Sequence, residues 1–342
     1  MNDTMTAARI REHGGPEQLV VETVERPHPS SGEVVVRVAA CALNHLDIFV
    51  RRGMPGVTVP LPHTTGGDIA GWIEKLGPGV DEQRAGAPVL VDPAVSTGTI
   101  GENAPGGLAE FVVVPADNLI ALADTDRLIE MAALPIAYGT AHRMLLTRAV
   151  LRAGETLVVV GASGGVGVAC VQLGKRVGAR VIACTSSASK AKLLSGLAAD
   201  ECVVASDGNY SARVWELTGR QGADVVVDYS GVDTWPQSLR CVRPHGRLMT
   251  CGATSGYNAV TDLRYLWVRE IDIRGSDGWT RDDLVRLRNL VRVGELRPVI
   301  HAVHPLSRAR DALAELEHRR TFGKVVVVPD ALYTEVTSHV HD

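Results

Sequence analysis

Along Gly32-Glu33-Val34-Val35-Val36-Arg37-Val38 polar and apolar positions alternate, the two-residue period of a half-buried strand. Further strand-like runs at Asp68 to Glu74, Ala87 to Val91 and Leu108 to Val114 are separated by Gly/Pro turns such as Gly77-Pro78-Gly79. Short strands at this spacing predict a β-rich, antiparallel or barrel-like domain over residues 1–125. From about residue 126 the grammar changes. Helical stretches at 128–133 and 137–150 lead into an aliphatic strand at Thr156. Strands at 181–184, 202–204, 224–228 and 247–251 then alternate with helices from about 188, near 210–218 and near 233–241. Strands alternating with helices of this length imply a parallel sheet with right-handed crossovers, an α/β domain over 126–293. After a helix at 281–293 the chain supplies only short pieces, ending in Gly323-Lys324-Val325-Val326-Val327-Val328. Residues 294–342 are therefore expected to return to the first domain, with a frayed tail from Ala331.

The stretch Thr156-Leu157-Val158-Val159-Val160-Gly161-Ala162-Ser163-Gly164-Gly165-Val166-Gly167 orders strand, small-residue turn and helix, an apolar helix pattern following from Val168. Glycines there let the backbone turn tightly, approach a pyrophosphate and pack the helix on the strand, and the helix N-terminus offers free N–H groups to phosphates. A glycine pattern alone could be an ordinary strand-to-helix turn. The flanking strand and helix are the context that points to a dinucleotide, with Ser163, Gly164, Gly165, Val166 and Gly167 at the phosphates. Ala162 stands where G-x-G-x-x-G has its first glycine.

With 342 residues, 45% of them hydrophobic, the chain has material for two domains and a sizeable core. The net charge of −4 without a basic block gives no nucleic-acid surface. Six cysteines without a C-x-x-C pair, several inside apolar runs such as Val181-Ile182-Ala183-Cys184, read as buried thiols in a reducing compartment. The start Met1-Asn2-Asp3-Thr4 has no basic region followed by an apolar core, and no apolar run approaches the ~18 residues of a membrane span. A soluble, cytoplasmic protein is expected.

With these segments in place, the chain resembles the medium-chain dehydrogenase/reductase superfamily over almost its whole length. The likeness is carried by Gly14-Gly15-Pro16-Glu17, Ala42-Leu43-Asn44-His45-Leu46-Asp47, Arg51-Arg52-Gly53, Gly67-Asp68-Ile69-Ala70-Gly71, Gly106-Gly107-Leu108-Ala109-Glu110, the glycine turn and Phe322-Gly323-Lys324-Val325-Val326. The resemblance implies a Rossmann doubly wound parallel sheet and a β-rich GroES-like catalytic domain. The superfamily holds zinc alcohol dehydrogenases and zinc-free quinone and enoyl reductases. A catalytic zinc needs three Cys, His or carboxylate ligands. At the positions matching those ligands stand Asn44, Gly67 and, approximately, Ile136. The hydroxyl and histidine of the alcohol proton relay are matched by Leu46 and Phe49, and the structural-zinc lobe between about 92 and 106 has no cysteine. No metal is expected. Asn at the lost cysteine and Gly-x-Asp in place of the His-Glu pair resemble the quinone oxidoreductase-like branch. That likeness implies NAD(P)H-dependent, metal-free hydride transfer to an activated C=C bond or a quinone.

What the resemblance implies for single residues is less uniform. Asn44 would hydrogen-bond substrate or nicotinamide, or else satisfy local backbone; His45 matches a pyrophosphate contact, and Thr140 a residue near the nicotinamide, or a helix hydroxyl bonding back. Asp47 and Asp68 read as structural caps. A tyrosine common in such reductases is replaced by Phe49, leaving the proton donor open among water, His63 and Arg51, while Arg51 and Arg52 equally suit solvated positions. At the end of the second α/β strand, an acid favours NAD and its absence beside a cation suits a 2′-phosphate. Thr185 takes the acid position, followed by Ser186, Ser187 and Lys190, so NADPH is expected over NADH. The alternative reading is that Ser186 and Ser187 begin the next helix and Lys190 is solvated. Gly252 and Lys324 complete the residues expected at the cofactor. A zinc-type alcohol/ketone oxidoreductase and a catalytically weak, crystallin-like NADPH binder are the competing readings. A small-molecule substrate and a homodimer paired through strands near 247–251 and 270–274 are expected as partners.

Overall fold

The computed structural model describes residues 3–96 and 98–334. The chain folds as two units, Met1–Ile136 with Leu284–Asp342, and Ala137–Asp283. The division lies inside the expected limits of 126 and 293. The short helix Leu128–Ala132 packs on the strands Glu33–Ala42 and Asp68–Leu76 of the first unit, and so belongs to it. Of the expected frayed tail, Asp330–Leu332 form one short helical turn, and 335–342 lie outside the described residues, as do Met1 and Asn2.

The first unit is built on a largely antiparallel sheet. Its strands run Leu119–Ala121, Pro88–Val91, Asp68–Leu76, Glu33–Ala42, Lys324–Val328 and Ile300–Pro305 in spatial order, and Phe111–Pro115 pairs with the first half of Glu33–Ala42. A three-stranded sheet joins Leu19–Glu25, Thr4–Ile10 and His63–Thr64. The strand read at 32–38 runs on to Ala42 without alternation: every residue from Val38 to Ala42 is buried, and within the sheet this half pairs with Asp68–Leu76 on one edge and with Lys324–Val328 on the other. Val34, Val36, Val38, Ile69, Ile73, Val112 and Val325 anchor the core there.

The second unit is a six-stranded, wholly parallel sheet in the order Glu201–Val204, Arg180–Thr185, Thr156–Val160, Ala223–Val227, Val242–Thr250, Asp272–Gly275. In sequence this order is 3-2-1-4-5-6, the doubly wound arrangement whose ligand crevice opens at the carboxyl ends of the strands where the order reverses. The strand Thr156–Val160 is buried along most of its length, as covered parallel strands are. The helix expected at 137–150 keeps an α period only over Gly139–His142; Arg143–Arg148 winds as a π-helix, with Ala149 N–H donating to Met144 O at 2.8 Å. Among the described residues no helix is long and apolar enough to cross a membrane.

Candidate active site

In the first unit, strand register brings a charged cluster to one point of the core. Ala42 ends its strand opposite Asp68, the first residue of Asp68–Leu76, and also lies opposite Val326 of the strand that begins at Lys324. Both charged side chains are thereby enclosed, with Asp68 0% and Lys324 2% exposed. The Lys324 ammonium donates to Asp68 Oδ2 at 2.9 Å, Asn44 Oδ1 at 2.6 Å and the Leu43 carbonyl at 2.8 Å, one acceptor for each of its hydrogens. Asp68 also accepts from Asn44 Nδ2 at 2.9 Å and from the Ile136 N–H at 2.7 Å. A second carboxylate, Asp47, caps the helix His45–Arg52 by accepting from the Asn44 N–H at 2.7 Å, and it also receives Thr65 Oγ1 and the Gly66 N–H. Burial raises the Asp47 pKa against the lowering effect of those hydrogen bonds, and burial also pushes the Cys41 thiol well up.

The three positions that would carry zinc ligands do converge: Asp68 binds both Asn44 and Ile136, and Gly67 faces the Ile136 side chain. Their chemistry does not fit the metal. An amide, a hydrogen atom and an aliphatic chain supply no anionic or imidazole donor. A side chain on Gly67 would start with its Cβ 2.7 Å from the Ile100 carbonyl oxygen. The cationic charge beside Asp68 belongs to Lys324. Among the described residues no group of three or more His, Cys, Asp or Glu is placed to hold a metal ion.

His45 lies one residue after this cluster. Burial, followed by the charges of Arg319, Lys324 and Arg52, lowers its pKa to about 4, so near neutral pH the ring is uncharged and offers one N–H among three cations. Arg51, 0% exposed, and the exposed Arg52 both donate to Glu317 Oε1, so Arg51 is not the solvated residue its position suggested. His63 is also buried, its pKa is lowered by that burial, and its Nε2 has no partner.

The second unit carries the glycine turn as strand, turn and helix. The strand Thr156–Val160 passes to the helix Gly165–Val177, N-capped by Gly164. The positive φ of 68° falls on Gly161 and not on the next residue. Ala162 can therefore replace the first fingerprint glycine, its methyl fully buried and its N–H donating to the Cys184 carbonyl at 3.0 Å. A Cβ on Gly167 would lie 2.6 Å from the backbone of Gly161 and Ala162, which is why this position has none. The Tyr229 hydroxyl donates to the Gly161 carbonyl at 2.6 Å and accepts from the Gly167 N–H, bracing the turn from beneath. The first helical N–H groups, at Gly165 and Val166, have no carbonyl one turn earlier and stay available to an anion.

At the end of Arg180–Thr185, Thr185 is buried and its Oγ1 accepts from the Ser187 N–H at 3.4 Å. Ser187 is the N-cap of the helix Ala188–Gly196, so its hydroxyl serves the helix start. Ser186 is exposed, and partial burial lowers the Lys190 pKa.

A cavity of about 490 Å³ opens at the carboxyl ends of Val242–Thr250 and Asp272–Gly275, lined by Arg143, Arg148, Thr250, Cys251, Gly252, Gly275, Ser276 and Asp277. Gly252, expected at the cofactor, lies in it. Arg143 Nε is buried without a hydrogen-bond partner, and so is Ser276 Oγ. Arg148 donates its Nε to the Gly275 carbonyl at 2.9 Å, across the mouth of the strand pair.

The residues 30–124 match the family model of the alcohol dehydrogenase GroES-like domain, and 165–292 match that of the zinc-binding dehydrogenase. A quinone oxidoreductase of Rattus norvegicus is 30% identical over 332 residues, covering 95% of this chain and 98% of the relative. A 2-haloacrylate reductase of Burkholderia sp is 30% identical over 95% of this chain and 99% of its own length. The crystal structure of an NAD-dependent alcohol dehydrogenase superposes with a TM-score of 0.90 at 35% identity, covering 95% of this chain and 99% of that one. This chain belongs to the medium-chain dehydrogenase/reductase superfamily, and within it is quinone oxidoreductase-like. It is an NAD(P)H-dependent oxidoreductase.

In this oxidoreductase the expected residues fall into groups. Asn44 and His45 stand at the start of one helix in the first unit, with Lys324, expected at the cofactor, bonded to Asn44 by an ammonium whose three donors are spent on protein acceptors. Ser163, Gly164, Gly165, Val166 and Gly167 form the turn, and Thr185, Ser186, Ser187 and Lys190 follow the neighbouring strand. Thr140 is buried on Gly139–His142, three residues before Arg143. Sequence reasoning missed Arg143, Ser276 and Tyr229. For Arg143 the available signal was its spacing from Thr140 on a helical stretch, whereas Ser276 and Tyr229 carry none that stands out from their neighbours.

Proposed function

We propose that this oxidoreductase is an NADPH-dependent, metal-independent reductase that delivers hydride to an activated C=C bond or a quinone. The observation that carries the reading is the buried Lys324–Asp68–Asn44 cluster at the zinc-ligand positions, where a protein cation is fully coordinated by protein acceptors. An acceptor whose carbonyl already withdraws electrons needs no Lewis acid, only orientation and hydrogen bonds to the developing enolate. The likeness to a quinone oxidoreductase and a 2-haloacrylate reductase supports an acceptor of this kind.

Bound NADPH would supply the hydride. The Gly165 and Val166 N–H groups would hold its pyrophosphate, with the brace from Tyr229 keeping the turn in place. Thr185, Ser186 and Lys190 would surround the 2′-phosphate, since no carboxylate among Thr185 to Lys190 repels it. Asn44, locked by Asp68 and Lys324, keeps an N–H that is only weakly engaged, 3.4 Å from the Ala42 carbonyl, and in this reading gives it to substrate or nicotinamide. His45, uncharged, suits an N–H donor to phosphate better than a general acid. Thr140 would approach the nicotinamide.

Oxidation of NADPH and of NADH by purified, EDTA-treated protein against a panel of quinones and enones tests the reading. Activity that survives EDTA and prefers NADPH is expected, and Thr185→Asp should shift the preference toward NADH. Activity that returns only with added zinc would overturn it.

The assembly reading is that two copies pair along the edge strand Asp272–Gly275. Tyr257, Val260, Leu263, Trp267 and Val268 expose apolar surface on the segments that precede this edge in the chain. Light scattering should give twice the chain mass. Cytoplasmic residence fits six cysteines that are all free.

A further inference from the structure

Asp47 and Thr65 are both buried, and the contacts between them hold one proton too few if Asp47 is ionised. The Thr65 hydroxyl oxygen lies 2.7 Å from Asp47 Oδ1 and 2.8 Å from the Gly101 carbonyl oxygen, each the length of a full O–H···O bond. A threonine hydroxyl has a single hydrogen to give, and neither a carboxylate nor a carbonyl has one. With Asp47 ionised, one of the two contacts would set bare lone pairs against each other inside the core. A proton on Asp47 Oδ1 removes the conflict, since Asp47 then donates to Thr65 and Thr65 donates to Gly101. The other partners stay satisfied. The Asn44 N–H reaches Oδ2 at 2.7 Å, and the Gly66 N–H reaches a remaining lone pair of Oδ1 at 2.9 Å. The charges around Asp47 agree with this count. The Lys324 ammonium spends its three hydrogens on Asp68, Asn44 and Leu43, and Arg51, one turn further along the helix, donates to Glu317. Asp68 adds a second negative charge, and the Cys41 thiol, its pKa pushed well up by burial, adds no positive one. A buried carboxyl without a cation of its own is neutralised by a proton. Burial, the largest cause of the raised Asp47 pKa, acts in the same direction.

We infer that Asp47 is a neutral carboxylic acid in the folded enzyme, protonated on Oδ1, and that it is a positioning residue acting through Asn44. Its consequence for catalysis rests on the reductase reading above, in which Asn44 meets the acceptor or the nicotinamide. Asp47 holds the Asn44 backbone through Oδ2, while Asp68 and Lys324 hold the Asn44 side chain. A capping carboxylate would place a full negative charge beside the amide that faces the charge developing on the acceptor, and would oppose it. A capping acid holds the same N–H without that charge. The enclosed cluster then balances, with Lys324 against Asp68 and nothing left over.

Infrared difference spectra of purified wild type and Asp47→Asn at neutral pH test the assignment. The wild type should show the C=O stretch of a protonated carboxyl that Asp47→Asn lacks. Thr65→Val, which removes the acceptor of that proton, should shift the same band, so the wild type and this variant carry the test if Asp47→Asn does not fold. Spectra in which only carboxylate bands change overturn the inference. Asparagine resembles the neutral acid in keeping a donor for Thr65 and an acceptor for one of the two backbone N–H groups. Folded Asp47→Asn should therefore reduce a quinone or an enone with kcat within about tenfold of wild type, the loss of one hydrogen bond, and with its NADPH affinity kept. A far larger loss of kcat at the same NADPH affinity would mean that the negative charge is needed, and would overturn the neutral-acid role. If the acid band is present and the wild type reduces neither acceptor, the protonation of Asp47 stands and the reductase reading fails. If the band is absent while the acceptors are reduced, the inference fails and the reductase reading stands.

Discussion

Replacing Lys324 by methionine removes a cation of similar length from a fully enclosed position and leaves Asp68 without its counter-charge. Breaking one side of a buried pair costs about 3–5 kcal/mol. Asp68 keeps two donors, Asn44 Nδ2 at 2.9 Å and the Ile136 N–H at 2.7 Å, so the lower end of that range, about 3 kcal/mol, is expected. Asp68→Asn should cost a similar amount, since it strands the ammonium on two neutral acceptors, Leu43 O and Asn44 Oδ1. The double variant removes both charges together. If the two groups act as a pair, it should cost about 3 kcal/mol and not the sum of about 6 kcal/mol, a coupling near 3 kcal/mol. With a urea dependence of about 2 kcal/mol per molar, each single variant lowers the midpoint by about 1.5 M. The chain has two units, so a single global transition is not assured. Urea unfolding is therefore paired with hydrogen exchange on peptides from Asp68–Leu76 and Lys324–Val328, where the loss of protection should be concentrated. Additive costs in the double variant, or a cost below about 1 kcal/mol for Lys324→Met, would refute the reasoning.

The depressed pKa of His45 predicts a pH dependence. Its folded value of about 4 lies below the ordinary 6.5, so between those values the unfolded chain binds the proton and the folded one does not. Stability is then fully present above about pH 6.5 and is lost as the pH falls toward 4. His45→Gln should flatten that part of the urea-midpoint profile, with the remaining slope partly due to His63, also lowered by burial. An unchanged profile would rule out the assignment. Tyr229→Phe removes the hydroxyl that bridges Gly161 and Gly167, and fluorescence titration should show NADPH binding three- to tenfold weaker, about 1 kcal/mol, with kcat nearly unchanged. An identical affinity would mean that the turn holds itself. Gly167→Ala forces a Cβ to within 2.6 Å of two backbone segments, and should weaken NADPH by at least about tenfold in the same titration, since backbone must shift to admit it.

What could be read in the chain was local. The alternation at 32–38, the aliphatic run before Gly161 and the recurrence of strand and helix are properties of neighbouring residues, and they predicted the β-rich unit, the parallel sheet and the glycine turn. The mismatch of Asn44, Gly67 and Ile136 with zinc chemistry was likewise visible, because it needs only residue types at matched positions. What occupies that place was not visible: Lys324 reaches Asp68 across 256 residues of sequence through the register of two strands on either side of Glu33–Ala42. The tolerance of Ala162 depended on which residue took the positive φ, and Gly161 took it. That Arg143 and Ser276 line one cavity depends on how a helix packs against a distant strand end, which no local pattern foretells. Conformational preference is set within a few residues along the chain, so the sequence by itself determined the elements and their order. Which buried charges find partners, and which donors are left open to a ligand, depends on packing between distant strands and was decided only by the tertiary structure.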